Sequence, residues 1–403
     1  MGYLAKSDYI KDILKPGGIL SDCFAHLKST SAKTVCYGTD SGGKFVVELM
    51  SCLGLDVCYF ADANNYGGKI RGIKVLSLEE LAILDKSDNI QIFITSVNES
   101  EVYGLLRGIG MRGQIFVKPT VGWDYNIIDL LPLLAADNIN RFKSDAAVLR
   151  GSLMDDTSRK VLDHIIDARI NCMLEGYIEA IRLSVSSSGS RQYLLEELRG
   201  RLTARPLSVV DCGAYSGDTV IDMLNWGISF ADSWCFEPEP KNFPKLEDNL
   251  ARLGVIDKVN AVKAGVYSYT GRLSFLSDEI GTQSRILDSE SSISIPVVTL
   301  DEYLHDKKVD FIKMDIECAE AEALAGARAL ISRCRPILAI CVYHRFMDLV
   351  RIPLQLIEWL KGYDFMLRQH GGPIDHEAGL APSWQKDETV FYCIPRYNTL
   401  ERE

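Results

Sequence analysis

Two short stretches decide the fold of the C-terminal half of the chain. Residues 209–218 read Val-Val-Asp-Cys-Gly-Ala-Tyr-Ser-Gly-Asp, and residues 311–317 read Phe-Ile-Lys-Met-Asp-Ile-Glu. Each is a short apolar strand that runs into acidic or glycine-rich residues. In an open parallel sheet, ligands bind in the crevice beyond the carboxyl ends of the strands. Both stretches therefore predict strands of a parallel sheet with a ligand site where they end.

The pattern around these stretches predicts an α/β domain from residue 206 to residue 403. Its predicted strands are 208–211, 233–237, 259–263, 309–314, 337–343, 364–368 and 389–394. The last two have no helix between them, and such strands usually pair antiparallel. We therefore expect five parallel strands and a closing antiparallel hairpin, which is the Rossmann-like sheet of class I methyltransferases.

Strands and helices also alternate between residues 30 and 125, which predicts a second parallel sheet with right-handed crossovers. Its strands are 34–37, 56–60, 89–95 and 114–117, and its helices 44–53, 78–85 and 99–108. Between the two sheets the strand pattern disappears. We predict three parts: a Rossmann-like domain at 1–125, a helical connector at 126–205 and a domain at 206–403. Within the connector, 184–190 is predicted to be a flexible turn and 191–202 a helix.

Composition limits the function classes. The chain has 403 residues, 47% of them hydrophobic, and a formal net charge of −11. Nonspecific nucleic-acid binding needs basic surface, so this charge argues against it. No run of 18 apolar residues exists, so no membrane span is expected. The N-terminus has no signal-peptide core, and the 11 cysteines form no CxxC pair, which favours reduced thiols in a cytoplasmic protein.

The turn after the first C-terminal strand is predicted to bind a cofactor through Asp211, Gly213, Tyr215, Gly217 and Asp218. Glycines at these points let the backbone approach a ligand and open the N-terminus of a helix. The pattern is GxxxGD, whereas pyrophosphate binders normally have GxGxxG. The two acidic residues would repel phosphate but would suit an ammonium or sulfonium group, as in S-adenosylmethionine. The alternative is a plain strand–turn–helix whose glycines serve geometry alone.

Glu237 ends the next predicted strand. An acidic side chain at this place can accept hydrogen bonds from both ribose hydroxyls of a nucleoside cofactor. The alternative is a solvated strand end. We predict the ribose role.

Asp315, Glu317 and His344 are the predicted catalytic residues, and Asp315 is also predicted to bind the cofactor. Strand alternation would place the two carboxylates on one side of the chain, and their proximity would raise one pKa, which suits a base. His344 closes the next strand, and we predict that it is the base for a hydroxyl nucleophile. His370 and Glu388 lie at the last two strands and are predicted to bind the substrate. The alternatives are a salt-bridged carboxylate pair and hydrogen-bonded structural histidines.

The C-terminal half resembles the FkbM-type S-adenosylmethionine-dependent methyltransferases over about residues 200–395. The segments that carry the resemblance are 209–218, 236–238, 311–320, 339–344 and 388–392. The resemblance implies O-methyl transfer to a sugar, glycolipid, polysaccharide or polyketide, with Asp211, Gly213 and Glu237 at the cofactor. The family usually has glycine where this chain has Cys318, and a positive φ there would cost about 1 kcal/mol or more.

The N-terminal stretch 34–44 resembles the Rossmann-like domains that precede many sugar-modifying enzymes. Gly38 and Gly43 occupy the outer glycine positions of GxGxxG, but Asp40 replaces the middle glycine and would repel pyrophosphate. A structural or dimerising role is predicted for this domain, and nucleotide binding, with Asp62 on the ribose, stays open.

The rival functions for the whole protein are a nucleotide-dependent sugar oxidoreductase or isomerase and a noncatalytic two-domain binding module. No metal is predicted, although Asp315, Glu317 and His344 could hold Mg²⁺ or Mn²⁺.

Overall fold

The computed structural model describes most of the chain. The described residues are 31–39, 50, 55–95, 99–117, 136–171, 173–276, 285–286, 293–371, 374–375, 379–380 and 388–396. The chain divides into two compact units. One unit comprises residues 1–147, 160–183 and 369–388, and the other comprises 148–159, 184–368 and 389–403. The predicted three-part division at residues 125 and 205 stays a prediction.

The first unit contains a six-stranded sheet. Its strands are β1 (Lys33–Tyr37), β2 (Val57–Ala61), β3 (Lys69–Ile70), β4 (Ile73–Leu76), β5 (Ile90–Ile94) and β6 (Gln114–Val117), in the order β3-β4-β2-β1-β5-β6. All neighbours pair parallel except β3 and β4. The predicted parallel sheet is confirmed. The β3–β4 hairpin was not predicted, because a strand of two residues shows no alternation.

Five helices are described between residues 78 and 188. They are α1 (Leu78–Ser87), α2 (Glu99–Gly108), α3 (Ala136–Ser152), α4 (Asp156–Asn171) and α5 (Glu175–Ser188). Helix α1 begins with a capping box, in which Ser77 and Glu80 bond each other's backbone N–H groups. Apart from Met50, the predicted helix at 44–53 lies outside the described residues, as do Asp40 and Gly43.

The end of the predicted connector differs from the expectation. Helix α5 runs through the serines at 184–188, which were predicted to be a turn. Tertiary contacts fix the end of this helix: Ser188 accepts a hydrogen bond from Nε of the buried Arg368 at 2.7 Å and donates one to Glu197 at 2.8 Å. The predicted helix at 191–202 is reduced to a 3₁₀ turn (Glu196–Leu198) and α6 (Arg199–Leu202).

The strands of the second unit form two sheets. In chain order, the remaining strands are β7 (Val209–Cys212), β8 (Ser233–Phe236), β9 (Val259–Val262), β10 (Gly265–Val266), β11 (Gly271–Leu276), β12 (Arg285–Ile286), β13 (Ile293–Val298), β14 (Phe311–Met314), β15 (Ile337–Cys341), β16 (Tyr363–Gln369), β17 (Ile374–Asp375), β18 (Gly379–Leu380) and β19 (Thr389–Pro395). Of these, β17 and β18 pair antiparallel with each other and belong to the first unit. The larger sheet has the order β16-β19-β15-β14-β7-β8-β9.

Five strands of this larger sheet, from β15 to β9, pair parallel, and β19 pairs antiparallel to β15. The predicted fold class, an α/β chain whose C-terminal sheet has an antiparallel last strand, is confirmed. The smaller sheet, β10-β13-β11-β12, was not predicted, because β10 and β12 have only two residues each and β13 contains Pro296, which is unusual inside a strand.

The helices of the second unit are α7 (Asp218–Asn225), α8 (Phe243–Leu253), α9 (Leu300–Tyr303), α10 (Glu320–Ala325), α11 (Arg328–Cys334) and α12 (Asp348–Trp359). Among the described helices, none has both the length and the hydropathy to cross a bilayer. The eight cysteines of the described part of the chain are all free.

A buried ion pair joins the two central strands of the larger sheet. All residues of β7 and β14 are buried, as is typical of parallel strands covered on both faces. Asp211 and Lys313 are register partners on these strands, and Lys313 Nζ lies 3.0 Å from Asp211 Oδ1. Lys313 also donates a hydrogen bond of 2.6 Å to the carbonyl of Gly213. One ammonium group therefore holds both the strand and the turn that follows it.

Lys313→Met is expected to lower the free energy of unfolding by about 3–5 kcal/mol, because it leaves the Asp211 carboxylate buried without its partner. Asp211→Asn combined with Lys313→Met should cost less than Lys313→Met alone. Denaturant unfolding measures both. The matched control is Arg205→Met, which breaks an ion pair with Asp310 that is open to solvent and should cost less than about 1 kcal/mol. Equal losses for Lys313→Met and Arg205→Met would contradict the prediction.

Candidate active site

The carboxyl ends of four parallel strands bring most of the predicted site residues to one edge of the sheet. Strand β7 leads into Gly213, β8 into Glu237 and β14 into Asp315. His344 follows β15 after two further buried residues. This edge is the place where open parallel sheets bind ligands.

Gly213 lies where the turns after β7 and β14 touch. Its φ is +79°, and a Cβ at this position would lie 1.9 Å from the carbonyl oxygen of Asp315. The N–H of Gly213 donates to the carbonyl of Phe236 at 3.0 Å, and the N–H of Asp315 donates to the carbonyl of Cys212 at 3.1 Å. Residue 213 must therefore be glycine because two backbone segments pack together there. This steric requirement is stronger than the reason given from the sequence, which was that glycine lets the backbone approach a ligand.

Tyr215, Gly217 and Asp218 continue the same turn. Tyr215 has a φ of 48° and an exposed side chain, and Gly217, at φ 85°, caps α7, whose first residue is the exposed Asp218. The turn is further held by Asn249, whose amide donates to the carbonyl of Ser216 at 2.7 Å. The loop thus presents an aromatic ring and a carboxylate to solvent at the strand ends.

Glu237 is buried, and backbone groups fix both of its oxygens. Oε2 accepts a hydrogen bond from the N–H of Tyr215 and Oε1 accepts one from the N–H of Glu239, each at 2.8 Å. Burial raises the pKa of Glu237 to about 7, although these N–H donors act in the opposite direction. The carboxyl group is therefore held in one orientation and changes its charge near neutral pH.

Asp315, Glu317 and His344 meet in one cluster. His344 Nε2 lies 3.2 Å from Asp315 Oδ1 and 3.4 Å from Glu317 Oε2. The imidazole is 1% exposed, whereas the two carboxylate side chains are 22% and 28% exposed. The structure therefore brings the three predicted catalytic residues together, with the carboxylates towards solvent and the imidazole behind them.

The two carboxylates meet for a different reason from the predicted strand alternation. Strand β14 ends at Met314, and Glu317 and Cys318 have positive φ values of 55° and 80°. This left-handed turn, rather than the pleat of a strand, directs the Glu317 carboxylate back to His344. Cys318, at a position where the family usually has glycine, does adopt the conformation that favours glycine.

The charges of the cluster also differ from the expectation that one carboxylate has a raised pKa. Burial alone would raise the pKa of Asp315, but contact with His344 and the charge of Lys313 outweigh it, so the pKa lies well below its usual range. Burial alone would lower the pKa of His344, but the charges of Glu320 and Glu317 and contact with Asp315 raise it well above its usual value. The cluster favours an imidazolium between carboxylates.

Three further residues complete the cluster and were not among the predicted site residues. The hydroxyl of Tyr193 donates to Asp315 Oδ2 at 2.9 Å, and the hydroxyl of Tyr343 donates to Asp315 Oδ1 at 3.0 Å. Glu320 is fully buried, its Oε1 lies 2.9 Å from His344 Nδ1, and it accepts a hydrogen bond from the N–H of Ile316 at 2.8 Å. Glu320 lies in the segment 311–320 that carries the resemblance to the FkbM-type enzymes, and this resemblance could have pointed to Glu320 as a site residue.

Asp211 lies beneath the site rather than at its surface. Its side chain is fully buried and faces Lys313, and burial raises its pKa to about 6 against the effect of Lys313. A carboxylate at this place holds Lys313 and, through it, the carbonyl of Gly213. The geometry thus favours a positioning role for Asp211 over the predicted contact with a cofactor.

His370 and Glu388 flank the ends of β16 and β19. The N–H of His370 donates to the carbonyl of Glu388 at 2.9 Å, and the side chain of His370 is buried. Their predicted contact with the substrate stays a prediction. In the first unit, Asp62 accepts hydrogen bonds from Thr39 and from the N–H groups of Asn64 and Asn65, so its carboxylate closes its own turn.

The sheet order and the acidic strand ends define the second unit as a class I methyltransferase fold. Residues 211–367 match the family model of the methyltransferase FkbM domain, and the resemblance predicted from the sequence is confirmed for this segment. The predicted resemblance of the N-terminal stretch stays a prediction. No curated protein matches the chain.

Three solved structures are similar to the chain, and the first of them shares the fold. Methyltransferase FkbM from Methylobacillus flagellatus KT is 21% identical, with a TM-score of 0.59 over 96% of this chain and 93% of that one. An rRNA methylase from Streptococcus thermophilus is 14% identical over 50% of this chain and 93% of that one, with a TM-score of 0.32. Precorrin-6y C5,15-methyltransferase from Geobacter metallireducens GS-15 is 15% identical over 54% and 98%, with a TM-score of 0.30.

The strain at Cys318 can be measured. Cys318→Gly should be more stable than Cys318→Ala by about 1 kcal/mol, because both remove the thiol but alanine keeps a Cβ at positive φ. Denaturant unfolding provides the comparison. The matched control is Cys334, the last residue of helix α11, where alanine should be the more stable substitution by about 0.5–1 kcal/mol. The same order at both positions would contradict the strain.

Proposed function

We propose that this protein is an S-adenosylmethionine-dependent O-methyltransferase that acts on a hydroxyl group of a sugar, a glycan or a related natural product. The observation that carries the proposal is the set of carboxylates at the strand ends of an FkbM-type domain. Glu237, Asp315 and Glu317 are each held by identified partners, and two of them face solvent. Such an edge suits a cofactor with a ribose and a positive charge.

The residues present fit this cofactor. Glu237 would accept hydrogen bonds from the ribose hydroxyls, and the turn with Gly213, Tyr215 and Gly217 would lie along the cofactor. Asp218 and Asp315 would face its ammonium or sulfonium charge, since anionic groups attract cations most strongly where water is partly excluded. A phosphate-bearing cofactor would be repelled by the same groups, and the loop lacks the GxGxxG pattern that cradles pyrophosphate.

When bound, S-adenosylmethionine supplies a methyl group on a positively charged sulfur, and the products are the methylated acceptor, S-adenosylhomocysteine and one proton. The protein mainly has to hold the acceptor hydroxyl in line, and such positioning can lower a barrier by about 7–11 kcal/mol. Asp315 and Glu317 are the exposed members of the cluster, so they would bind the hydroxyl and favour loss of its proton.

His344 acts through its neighbours in this proposal. Its ring is buried behind Asp315 and Glu317, so it does not reach an acceptor in the described structure. We therefore assign it a positioning role instead of the predicted role of base. His344→Asn should lower kcat much more than the affinity for S-adenosylhomocysteine. If His344 served only the stability of the fold, the substitution would lower both kcat and this affinity.

The rival functions have separate signatures. A nucleotide-dependent oxidoreductase or isomerase should show a higher thermal midpoint with NAD(H), because a ligand that binds the native state stabilises it by mass action. A noncatalytic module should respond to neither ligand. We expect the thermal midpoint of unfolding to rise with S-adenosylhomocysteine and to stay unchanged with NAD(H).

The acceptor class can be tested by mass spectrometry of cell-envelope glycans from a deletion strain, in which one methyl group should be missing.

The pKa of Glu237 gives a pH dependence with a definite sign. Ribose hydroxyls donate to the ionised carboxylate, which is the minor form below pH 7. With a pKa of about 7, roughly a tenth of the Glu237 carboxyl groups are ionised at pH 6 and roughly nine tenths at pH 8. S-adenosylhomocysteine should therefore bind about tenfold more tightly at pH 8 than at pH 6, with release of almost one proton at pH 6 and almost none at pH 8. Calorimetry in two buffers of different ionisation enthalpy measures both quantities.

The control for this prediction is Glu237→Gln, which keeps the shape of the side chain. It should bind S-adenosylhomocysteine weakly and with little change between pH 6 and pH 8. If the variant kept the full pH dependence, another group such as Asp211 would be its source, and the ribose role of Glu237 would be lost.

A further inference from the structure

The ligand atoms of Asp315, Glu317 and His344 have the spacing of a metal site. One oxygen of each carboxylate and one ring nitrogen of His344 lie within 4.8 Å of one another. The nitrogen–oxygen distances are 3.2 and 3.4 Å. Neighbouring ligands of an octahedral ion with bonds of about 2.1 Å lie about 3 Å apart. The three groups are thus already placed where ligands of one ion would be.

The buried imidazole points to such an ion independently of the acidic residues. His344 is 1% exposed, and its Nε2 faces the two carboxylates. In the part of the chain that the structure describes, neither ring nitrogen has a hydrogen bond of acceptable geometry. A buried polar atom without a partner is costly. A metal ion at Nε2 would displace the ring proton of the imidazolium form and would compensate the same carboxylates in its place.

The surroundings of the three groups match those of known metal ligands. A ligating histidine normally faces a carboxylate with its other ring nitrogen, and here Glu320 Oε1 lies 2.9 Å from Nδ1. Ligating carboxylates are normally hydrogen-bonded too, and Tyr193 and Tyr343 each donate to one oxygen of Asp315. These partners fix the ligands before an ion arrives.

One side of the cluster is open. The imidazole of His344 is buried on the inner side of the cluster, while the side chains of Asp315 and Glu317 are 22% and 28% exposed. Three protein ligands with an open face are typical of catalytic metal sites, which keep positions for water or substrate. An ion between these groups could therefore also bind an acceptor hydroxyl from the solvent side.

We propose that Asp315, Glu317 and His344 bind one divalent metal ion, and that this ion binds the oxygen of the acceptor hydroxyl. A mixed set of carboxylates and imidazole suits Mn²⁺ or a related first-row ion, and the sequence alone gave no reason to require one. The metal lowers the pKa of the hydroxyl, whose proton leaves to solvent. The oxygen then forms its bond to the methyl carbon while the carbon–sulfur bond breaks and its electron pair stays on sulfur. This chemistry rests on the proposed function, whereas binding of the ion does not.

The test is a titration of chelator-treated full-length protein with MnCl₂ alone, followed by the electron paramagnetic resonance signal of free Mn²⁺. One saturable site per chain is the expected result. No saturable binding up to about 1 mM Mn²⁺, the weak end of protein sites for hard cations, would overturn the proposal. That is also the result expected if His344 itself is the cation that neutralises the carboxylates.

Matched variants locate the ion. Glu317→Gln and Asp315→Asn should each weaken Mn²⁺ binding by about tenfold or more, since even indirect partners of a metal change affinity by about 10–100-fold. Glu247→Gln removes the same charge from an exposed position of helix α8, which contributes no residue to the cluster, and its affinity should stay within about twofold of the unsubstituted protein. Equal losses in all three variants would overturn the assignment in favour of a general attraction to acidic surface.

Spin-echo spectroscopy of the Mn²⁺-bound protein provides a measurement that does not depend on the stability of a variant. Nitrogen modulation from one imidazole is expected, and its absence would overturn ligation by His344. Binding of S-adenosylhomocysteine is measured separately by calorimetry. Cofactor binding without Mn²⁺ binding would overturn the metal site and leave the proposed function intact. Mn²⁺ binding without cofactor binding would support the site and overturn the proposed function.

Discussion

The approach of the Gly213 backbone to the carbonyl of Asp315 is the constraint on which the candidate site depends. Because a Cβ at residue 213 would lie 1.9 Å from that oxygen, the turns after β7 and β14 can pack together only through a glycine. Lys313 secures the same junction from below, with its ammonium group between Asp211 and the carbonyl of Gly213. The junction sets the position of the next turn, in which the Tyr215 N–H orients Glu237. Residues from three strands thus owe their placement to one backbone contact.

Buried negative charge is the second property of this edge. Glu237, Glu320 and Asp211 are buried, and Asp315 and Glu317 are partly exposed. Carboxylates in such surroundings are poorly hydrated, so water screens their charge only weakly. They therefore attract any cation that can come close to them. Lys313 and His344 compensate part of this charge from the protein side. A ligand with positive charge, whether a sulfonium group or a metal ion, would compensate it from the solvent side, which is why both proposals concern the same cluster.

The sequence predicted the sheet and the edge of the site well but not the directions of its side chains. Apolar runs such as 311–314 and 337–341 are buried on both faces, so their strand character and parallel pairing follow from composition and connectivity. The rule that ligands bind at the carboxyl ends of parallel strands then predicts that Glu237, Asp315 and His344 belong to one site. The rule does not predict the direction of a side chain, such as that of Asp211, which points inward to Lys313. Tyr193 reaches Asp315 across 122 residues of sequence, from a segment predicted to be helical. Such a contact depends on tertiary packing, which no local pattern encodes.

Three of the six non-glycine residues with positive φ in the described part of the chain lie around Asp315. Tyr193, Glu317 and Cys318 all have positive φ values, and each such residue costs about 1–3 kcal/mol unless its surroundings compensate. Two of these three conformations direct a functional group: Tyr193 sends its hydroxyl to Asp315, and Glu317 turns its carboxylate to His344. A relaxed turn after β14 would send residue 317 along the strand direction and separate the carboxylates. The fully buried strands on both sides provide the stability that holds the turn in place, so the strain and the spacing of the cluster have one structural cause.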